Sequence, residues 1–336
     1  MSKNNRPFTS LTLGMGLGLL AGWSAYQYAW VAKQLKRTNI QQLLAEPQNA
    51  LYAGLTFSST RQNDRYTVRH TIENGVERIT YTPKQPRFET PILMLHGMWH
   101  GAWCWQQWQA LFAEWGWESI AFSLPGHGRS PVQRPIRLCT LEYYLSFLKE
   151  EVKRLPGKPV LMGHSMGGAL TQWYLKYVGD DLPATVLVAP WVSHNAPLDA
   201  ALLFLRADPL GCLLCTFGWS STPFMRSPAS AARLLLSNKA IYTPAELHAR
   251  LGPESALILW EHLPPRWHPA TNVRAPMLWV AAEKDAVVSV SGQRASAAHY
   301  KADFLLVKDA AHNLMMEHNY RQTAQAVNDW LSQVVH

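Results

Sequence analysis

Six short apolar runs recur along the chain with helical patterns between them: Ile92 to Leu95, Ser119 to Phe122, Val160 to Met162, Thr185 to Ala189, Met277 to Ala281 and Phe304 to Val307. A strand that reads as a continuous apolar run is buried on both faces, and strands that alternate with helices pair in parallel because each return crossover needs a helix. The alternation therefore predicts an α/β fold built on a mostly parallel, doubly wound sheet. Leu141, Leu145, Leu148, Val152 and Leu155 step by four and three residues and share one helical face, as do Tyr320, Ala324, Val327, Leu331 and Val334 near the C-terminus. Ahead of the parallel strands, Tyr66 to Ile72 and Val76 to Tyr81 flank Glu73-Asn74-Gly75. Asn-Gly supplies the positive φ angles of a tight turn, so this pair reads as a β-hairpin.

The alternation breaks between Pro190 and Ala275. This stretch of about 85 residues has apolar helical periods, several prolines and many large side chains, Phe204, Phe217, Trp219, Phe224, Tyr242, Trp260 and Trp267 among them. A structureless loop of that length is improbable inside a compact domain, so residues 191–275 are expected to form an inserted helical cap. Residues 61–190 and 276–336 then make the core, and 38–60 a polar connector. A chain of 336 residues, 48% hydrophobic and 16% charged, can bury such a core.

Residues 1–37 stand apart. No charge occurs from Pro7 to Ala32, and as a helix that span would reach roughly 39 Å at about 1.5 Å per residue, longer than a bilayer's hydrocarbon core. Trp23, Tyr26, Tyr28 and Trp30 cluster toward its end, where interfacial aromatics sit. The expectation is a single-pass N-terminal membrane anchor over residues 7–32. The rival is a cleaved signal peptide and a secreted protein, with Gly22-x-Ser24 as the only tolerable cleavage site. Lys3 and Arg6 before the span and Lys33, Lys36 and Arg37 after it leave the orientation open.

Several function classes drop out on composition and motif. The net charge of +8 would tolerate nucleic acid, but there is no run of basic residues and the 15 Trp are not interleaved with Lys or Arg, so no nucleic-acid partner is expected. Four cysteines form no disulfide framework in a chain this long, and Cys212-x-x-Cys215 lies in a Leu-rich helical run without a second ligand pair. His96, His100, His127 and His164 lie near the expected mouth of the sheet without helical i, i+4 spacing or a carboxylate partner, so no metal is implied. Neither GxGxxG after a strand nor a P-loop is present, and no cofactor is expected.

The chemistry is carried by three separated residues. Gly163-His164-Ser165-Met166-Gly167 fits G-x-S-x-G and sits between a strand, Pro159-Val-Leu-Met, and a helical run, Gly168-Ala-Leu-Thr-Gln-Trp-Tyr-Leu. Strand-turn-helix is what a nucleophile elbow requires: the glycines permit the sharp turn, the serine is held exposed, and the next N–H points where an oxyanion forms. Downstream, Asp285 follows one strand and His312 the next. Asp309 also precedes His312, but a neighbour three residues away does not easily reach the far ring nitrogen. The chain order Ser165, Asp285, His312 is one of three known for this constellation.

At this point the sequence resembles the α/β-hydrolase superfamily over roughly residues 90 to 335. His96-Gly97-Met98-Trp99-His100-Gly101-Ala102-Trp103-Cys104-Trp105 looks like the oxyanion loop of the branch holding plant esterases, hydroxynitrile lyases and bacterial lipase-like hydrolases. By that resemblance the Met98 and Met166 N–H groups form the oxyanion hole. Leu124-Pro-Gly-His-Gly-Arg-Ser130 matches a family loop, although Ser123 stands where relatives usually carry Asp. Asn313 follows His312 where the lyases carry lysine, which argues against lyase chemistry. The resemblance implies a serine hydrolase of carboxylic esters. The Leu- and aromatic-rich cap together with the membrane anchor points to lipophilic acyl esters such as monoacylglycerols or lysophospholipids. Acyl transfer, thioester hydrolysis or C–C hydrolysis would use the same triad, and a non-enzymatic ligand-binding protein could share the scaffold.

Overall fold

In the computed structural model the described residues are 56–335, except 194, 195 and 219, together with 40–45 and a few isolated positions from 22 to 33. The chain divides at Ile40 into an N-terminal segment and one large unit, Gln41 to His336. After a short helix α1 (Ile40–Ala45), the large unit is built on nine strands: β1 (Phe57–Gln62), β2 (Tyr66–Glu73), β3 (Val76–Pro83), β4 (Ile92–Leu95), β5 (Ser119–Ser123), β6 (Val160–His164), β7 (Thr185–Val188), β8 (Met277–Ala282) and β9 (Asp303–Val307). They form one sheet in the order β1-β2-β3-β5-β4-β6-β7-β8-β9. The first three are antiparallel, β3 pairs antiparallel with β5, and every later pairing is parallel.

The physical origin of the sheet is visible strand by strand. Every residue of β4, β5, β6, β7 and β8 is buried, as expected for strands covered on both faces. Asn74 and Gly75, at φ 53° and 71°, turn β2 into β3. Positive φ at both central residues matches the right-handed twist of the strands they join. β1 lies partly inside the stretch expected to be a connector. Its sequence, FSSTRQ, is almost wholly exposed, so this edge strand carries no apolar period to announce it.

Helices α2 (Gln106–Glu114), α3 (Leu141–Lys153), α4 (Met166–Tyr177), α10 (Val290–Tyr300) and α11 (Tyr320–Val334) flank the sheet, with α3 packed on α4 and α2 on α11. Thr140 caps α3 by accepting the Tyr143 N–H, and the face from Leu141 to Val152 is buried. Between β7 and β8 lie α5 (Ala196–Ala207), α6 (Pro209–Gly218), α7 (Pro228–Leu235), α8 (Pro244–His248) and α9 (Leu257–Glu261). Among the described residues this region contains no strand beyond one isolated bridge, Ser220 to Ser255.

The expected membrane anchor is corrected. Among the described residues no helix is long and apolar enough to cross a membrane, and residues 1–21 lie outside those described. The expectation rested on the lack of charge from Pro7 to Ala32, and lack of charge does not by itself make a membrane-crossing helix. Neither the single-pass anchor nor the membrane localisation drawn from it stands.

Candidate active site

The strand order places the chemistry. β4 and β6 are neighbours, and the chain leaves β4 toward β5 but leaves β6 toward β7, in opposite directions along the sheet; crevices form at such a switch point beyond the strand carboxyl ends. Leu95 stands opposite Gly163 in the parallel register, which brings the loop after β4 against the turn after β6. In that turn Ser165 has φ 54° and ψ −116°, a backbone state that non-glycine residues rarely adopt. Surrounding bonds hold it there: Ser165 N–H donates to Val188 O at 3.0 Å, and its carbonyl accepts from Ala169 at 3.1 Å and Trp191 at 3.3 Å. The two glycines of the motif answer to close approach. A Cβ on Gly163 would sit 2.3 Å from Gly167 O, and one on Gly167 would sit 2.5 Å from Leu95 O.

Three side chains from three loops meet here. His312 Nε2 lies 2.9 Å from Ser165 Oγ, and His312 Nδ1 lies 2.8 Å from Asp285 Oδ2. The other carboxylate oxygen, Asp285 Oδ1, accepts from Val287 N–H at 2.8 Å and Val288 N–H at 3.0 Å. Both the imidazole and the carboxylate are almost fully withdrawn from solvent. Two donors on one oxygen fix the carboxylate plane, leaving the second oxygen for the ring N–H. Asp309 is engaged elsewhere, by Lys239 and Lys284 at the surface, and these two cations pull its carboxyl down to about 2.

The loop after β4 completes the site. His100 N–H donates to Gly97 O at 3.3 Å, closing a four-residue turn with Trp99 at φ 64°. Among the described residues, neither the Met98 nor the Met166 N–H is taken by an internal hydrogen bond, and Met166, at the first position of α4, has no intrahelical acceptor by geometry. Trp99 is gripped from the cap: its carbonyl accepts from Gly252 N–H at 2.7 Å, and its indole N–H donates to Ser221 Oγ at 3.0 Å. The sequence pattern did not single out Trp99, Ser221, Gly252 or Glu254. Their pairing spans more than a hundred residues, and no local period signals it.

Of the neighbouring histidines, His96 and His127 have a partner at both ring nitrogens, and His164 has one at Nε2 only. His96 Nδ1–H donates to Gly97 O at 2.8 Å while Nε2 accepts from Leu124 N–H at 3.1 Å. His164 Nε2 reaches His312 O at 3.1 Å. Burial pushes His96 and His164 well below the usual imidazole range and His100 down to about 4. His127 differs: its Nδ1 faces Pro125 O at 3.2 Å and its Nε2 faces Glu254 Oε2 at 3.0 Å, both acceptors. Tyr144 and Ser255 N–H occupy the other oxygen of Glu254 at 3.0 and 2.8 Å, so a wholly buried carboxylate ties cap to core. Among the described residues no group of three or more His, Cys, Asp or Glu could hold a metal ion.

A strand-turn-helix serine at the switch point of a mostly parallel sheet, facing a histidine that faces an acid, defines an α/β hydrolase. The chain belongs to the alpha/beta hydrolase family, whose model matches residues 92–326. An esterase of Oryza sativa subsp. japonica is 30% identical over 128 residues, 36% of this chain and 47% of that protein. The match to this and similar curated relatives spans between 28% and 49% of their length. Among solved structures, a thermophilic esterase from Thermogutta terrifontis superposes with a TM-score of 0.60 at 17% identity, covering 84% of this chain and all of that one. A monoacylglycerol lipase from Paleococcus ferrophilus gives 0.56 at 20% identity over 76% of this chain and 98% of its own.

Proposed function

We propose that the protein is a serine hydrolase of carboxylic esters, acting on lipophilic acyl esters. Ser165 Oγ attacks the ester carbonyl. His312 Nε2 takes its proton and returns it to the leaving alcohol, and Asp285 holds the ring tautomer and stabilises the imidazolium. Water then repeats the sequence on the acyl-enzyme. The N–H groups of Met98 and Met166 stabilise the oxyanion, a contribution of about 3 kcal/mol per donor in other hydrolases. The observation that carries the reading is the continuous relay from Asp285 through His312 to Ser165, at 2.8 and 2.9 Å. The acyl preference is supported by the apolar side chains the cap and its surroundings bring to this loop cluster, Trp99, Trp191, Phe224 and Leu235. Leu235 O accepts the N–H of Asn313, the residue after His312. Esterase activity in the curated relatives agrees with ester cleavage.

The test is labelling by a fluorophosphonate together with a p-nitrophenyl ester series from acetate to decanoate. Wild-type protein should label and Ser165→Ala should neither label nor turn over. Each added methylene should raise kcat/KM by up to about fourfold, the equivalent of about 0.8 kcal/mol, until the pocket is full. Undiminished labelling of Ser165→Ala would refute the nucleophile, and a flat series would refute the lipophilic acyl preference. Acyl-CoA and diketone panels separate thioester and C–C hydrolysis, which the same triad would serve.

A further inference from the structure

His100 stands between the two loops that carry the chemistry. Its Nδ1–H donates to Met98 O at 2.6 Å, and its Nε2 accepts from the side-chain amide of Asn313 at 3.0 Å. Asn313 immediately follows His312, and Met98 is the residue whose N–H is read above as an oxyanion donor. A single neutral tautomer, protonated at Nδ1, satisfies both partners at once. The ring is 1% exposed, so no solvent competes for either bond. Burial keeps it neutral across the physiological range, with His312 and His127 nearby adding to that effect.

The bond to Met98 O matters because of the turn it closes. Gly97 to His100 is a four-residue turn with an i to i+3 hydrogen bond and positive φ at its third residue, Trp99. That is the type II pattern, in which glycine is the usual occupant of the third position. Bulky residues there store strain on the order of 1–3 kcal/mol and persist only where their surroundings hold them. Rotating the central Met98–Trp99 peptide would relieve it. The Met98 carbonyl would then swing away from His100, and Met98, whose own N–H lies in the preceding Gly97–Met98 peptide, would lose the bond that anchors it. The His100 ring opposes this rotation from one side, and the Gly252 and Ser221 contacts to Trp99 oppose it from the other.

We propose that His100 is a positioning residue for ester hydrolysis, fixing the Met98 peptide against the loop that carries His312. The inference rests on reading Ser165 as nucleophile and Met98 as oxyanion donor. It makes the two ring nitrogens separable. An Asn side chain sets its amide nitrogen near the place of Nδ1 and can still donate to Met98 O while losing Asn313. A Gln side chain sets its amide oxygen near the place of Nε2 and can still accept from Asn313 while releasing Met98 O.

The experiment compares His100→Asn and His100→Gln on a p-nitrophenyl ester, with kcat, KM, the pH profile and thermal unfolding for each. A misplaced oxyanion donor lowers kcat, and complete loss of one costs about 10²–10³-fold. His100→Gln should therefore lose about 10–100-fold in kcat, with KM within about threefold and the acid limb of the pH profile unmoved, because His312 keeps its own partners. His100→Asn should exceed His100→Gln in kcat by about tenfold, whatever the ranking of their melting temperatures. Equal losses in the two variants, or losses that follow thermal stability with kcat and KM moving together, would show a packing role and overturn the proposal. If His100→Gln fails to fold, His100→Asn decides alone: a loss beyond about a hundredfold in that folded variant refutes it. A wild-type protein that neither labels nor hydrolyses esters would instead remove the reading beneath it.

Discussion

Asp285→Asn is the sharpest perturbation the site offers, because the structure fixes which way the new amide must point. Asp285 Oδ1 accepts two backbone N–H groups, from Val287 and Val288, while Oδ2 accepts one, from the His312 ring. An Asn side chain has one acceptor oxygen and one donor NH₂. Its oxygen will take the position facing two donors, since the opposite orientation would set the NH₂ against both of them. The NH₂ then faces His312 Nδ1, which must become an acceptor, and the ring proton moves to Nε2, toward Ser165. The base has lost its lone pair where it is needed. The expected fall in kcat reaches about four orders of magnitude, which corresponds to about 5.4 kcal/mol of barrier, while folding and substrate binding change little. Asp309→Asn is the control. Its carboxylate pairs with Lys239 and Lys284 at the surface, and exposed pairs contribute little, so turnover should change by less than about tenfold. Steady-state ester hydrolysis on both variants decides the matter. If Asp309→Asn is the more damaging, the orienting acid has been misassigned.

Two further outcomes follow from close approach and from burial. Gly167→Ala should destabilise by about 1–3 kcal/mol or more, because its Cβ would stand 2.5 Å from Leu95 O and 2.8 Å from His96 O, both backbone atoms in β4 and its following loop; an unchanged melting temperature would contradict this. His96, His100, His164 and His262 are held neutral by burial, with His100 near 4 and His262 near 3. The unfolded chain therefore binds protons that the folded chain excludes. Stability should be full above the unfolded imidazole value of about 6.5 and fall toward pH 4, by up to about 1.4 kcal/mol per pH unit for each such histidine. Unfolding midpoints flat from pH 7 to pH 4.5 would refute that account.

How far the sequence speaks depends on whether the deciding interaction is local. The parallel strands are legible because burial on both faces demands continuous apolar runs, as in Ile92 to Leu95 and Met277 to Ala282. The elbow is legible because the glycines that permit it, Gly163 and Gly167, lie within two residues of the serine in the chain. The acid and the histidine are legible because each follows a strand whose end the sheet must bring to the crevice. β1 is not, since an exposed antiparallel edge needs only backbone pairing and leaves FSSTRQ without an apolar face. The grip on Trp99 is equally silent, its indole bond to Ser221 spanning 122 positions, and so is the bond between His100 and Asn313, 213 positions apart. The uncharged N-terminal stretch shows the converse error, in which a lack of charge is read alone as a sign of membrane crossing.

The departure at position 123 shows how the fold compensates for a missing acid. Relatives usually carry Asp there, and here Ser123 Oγ accepts from Ala102 N–H at 2.8 Å and donates to Glu77 Oε2 at 2.7 Å. Glu77 lies directly opposite Ser123 on the antiparallel strand β3, so the neighbouring strand supplies the carboxylate and the serine hydroxyl relays it. The same oxygen accepts from Arg129 N–H at 2.7 Å, and a Cβ on Gly128 would come within 2.3 Å of it, which is why glycine occupies that position. Ala102 opens the 3₁₀ turn that follows the loop after β4. The loop is thus pinned at its far end by a sheet carboxylate, at Met98 by His100, and at Trp99 by Gly252 and Ser221 of the cap. Its shape belongs jointly to the core and to the region between β7 and β8, whose Ser221 and Gly252 bond to Trp99.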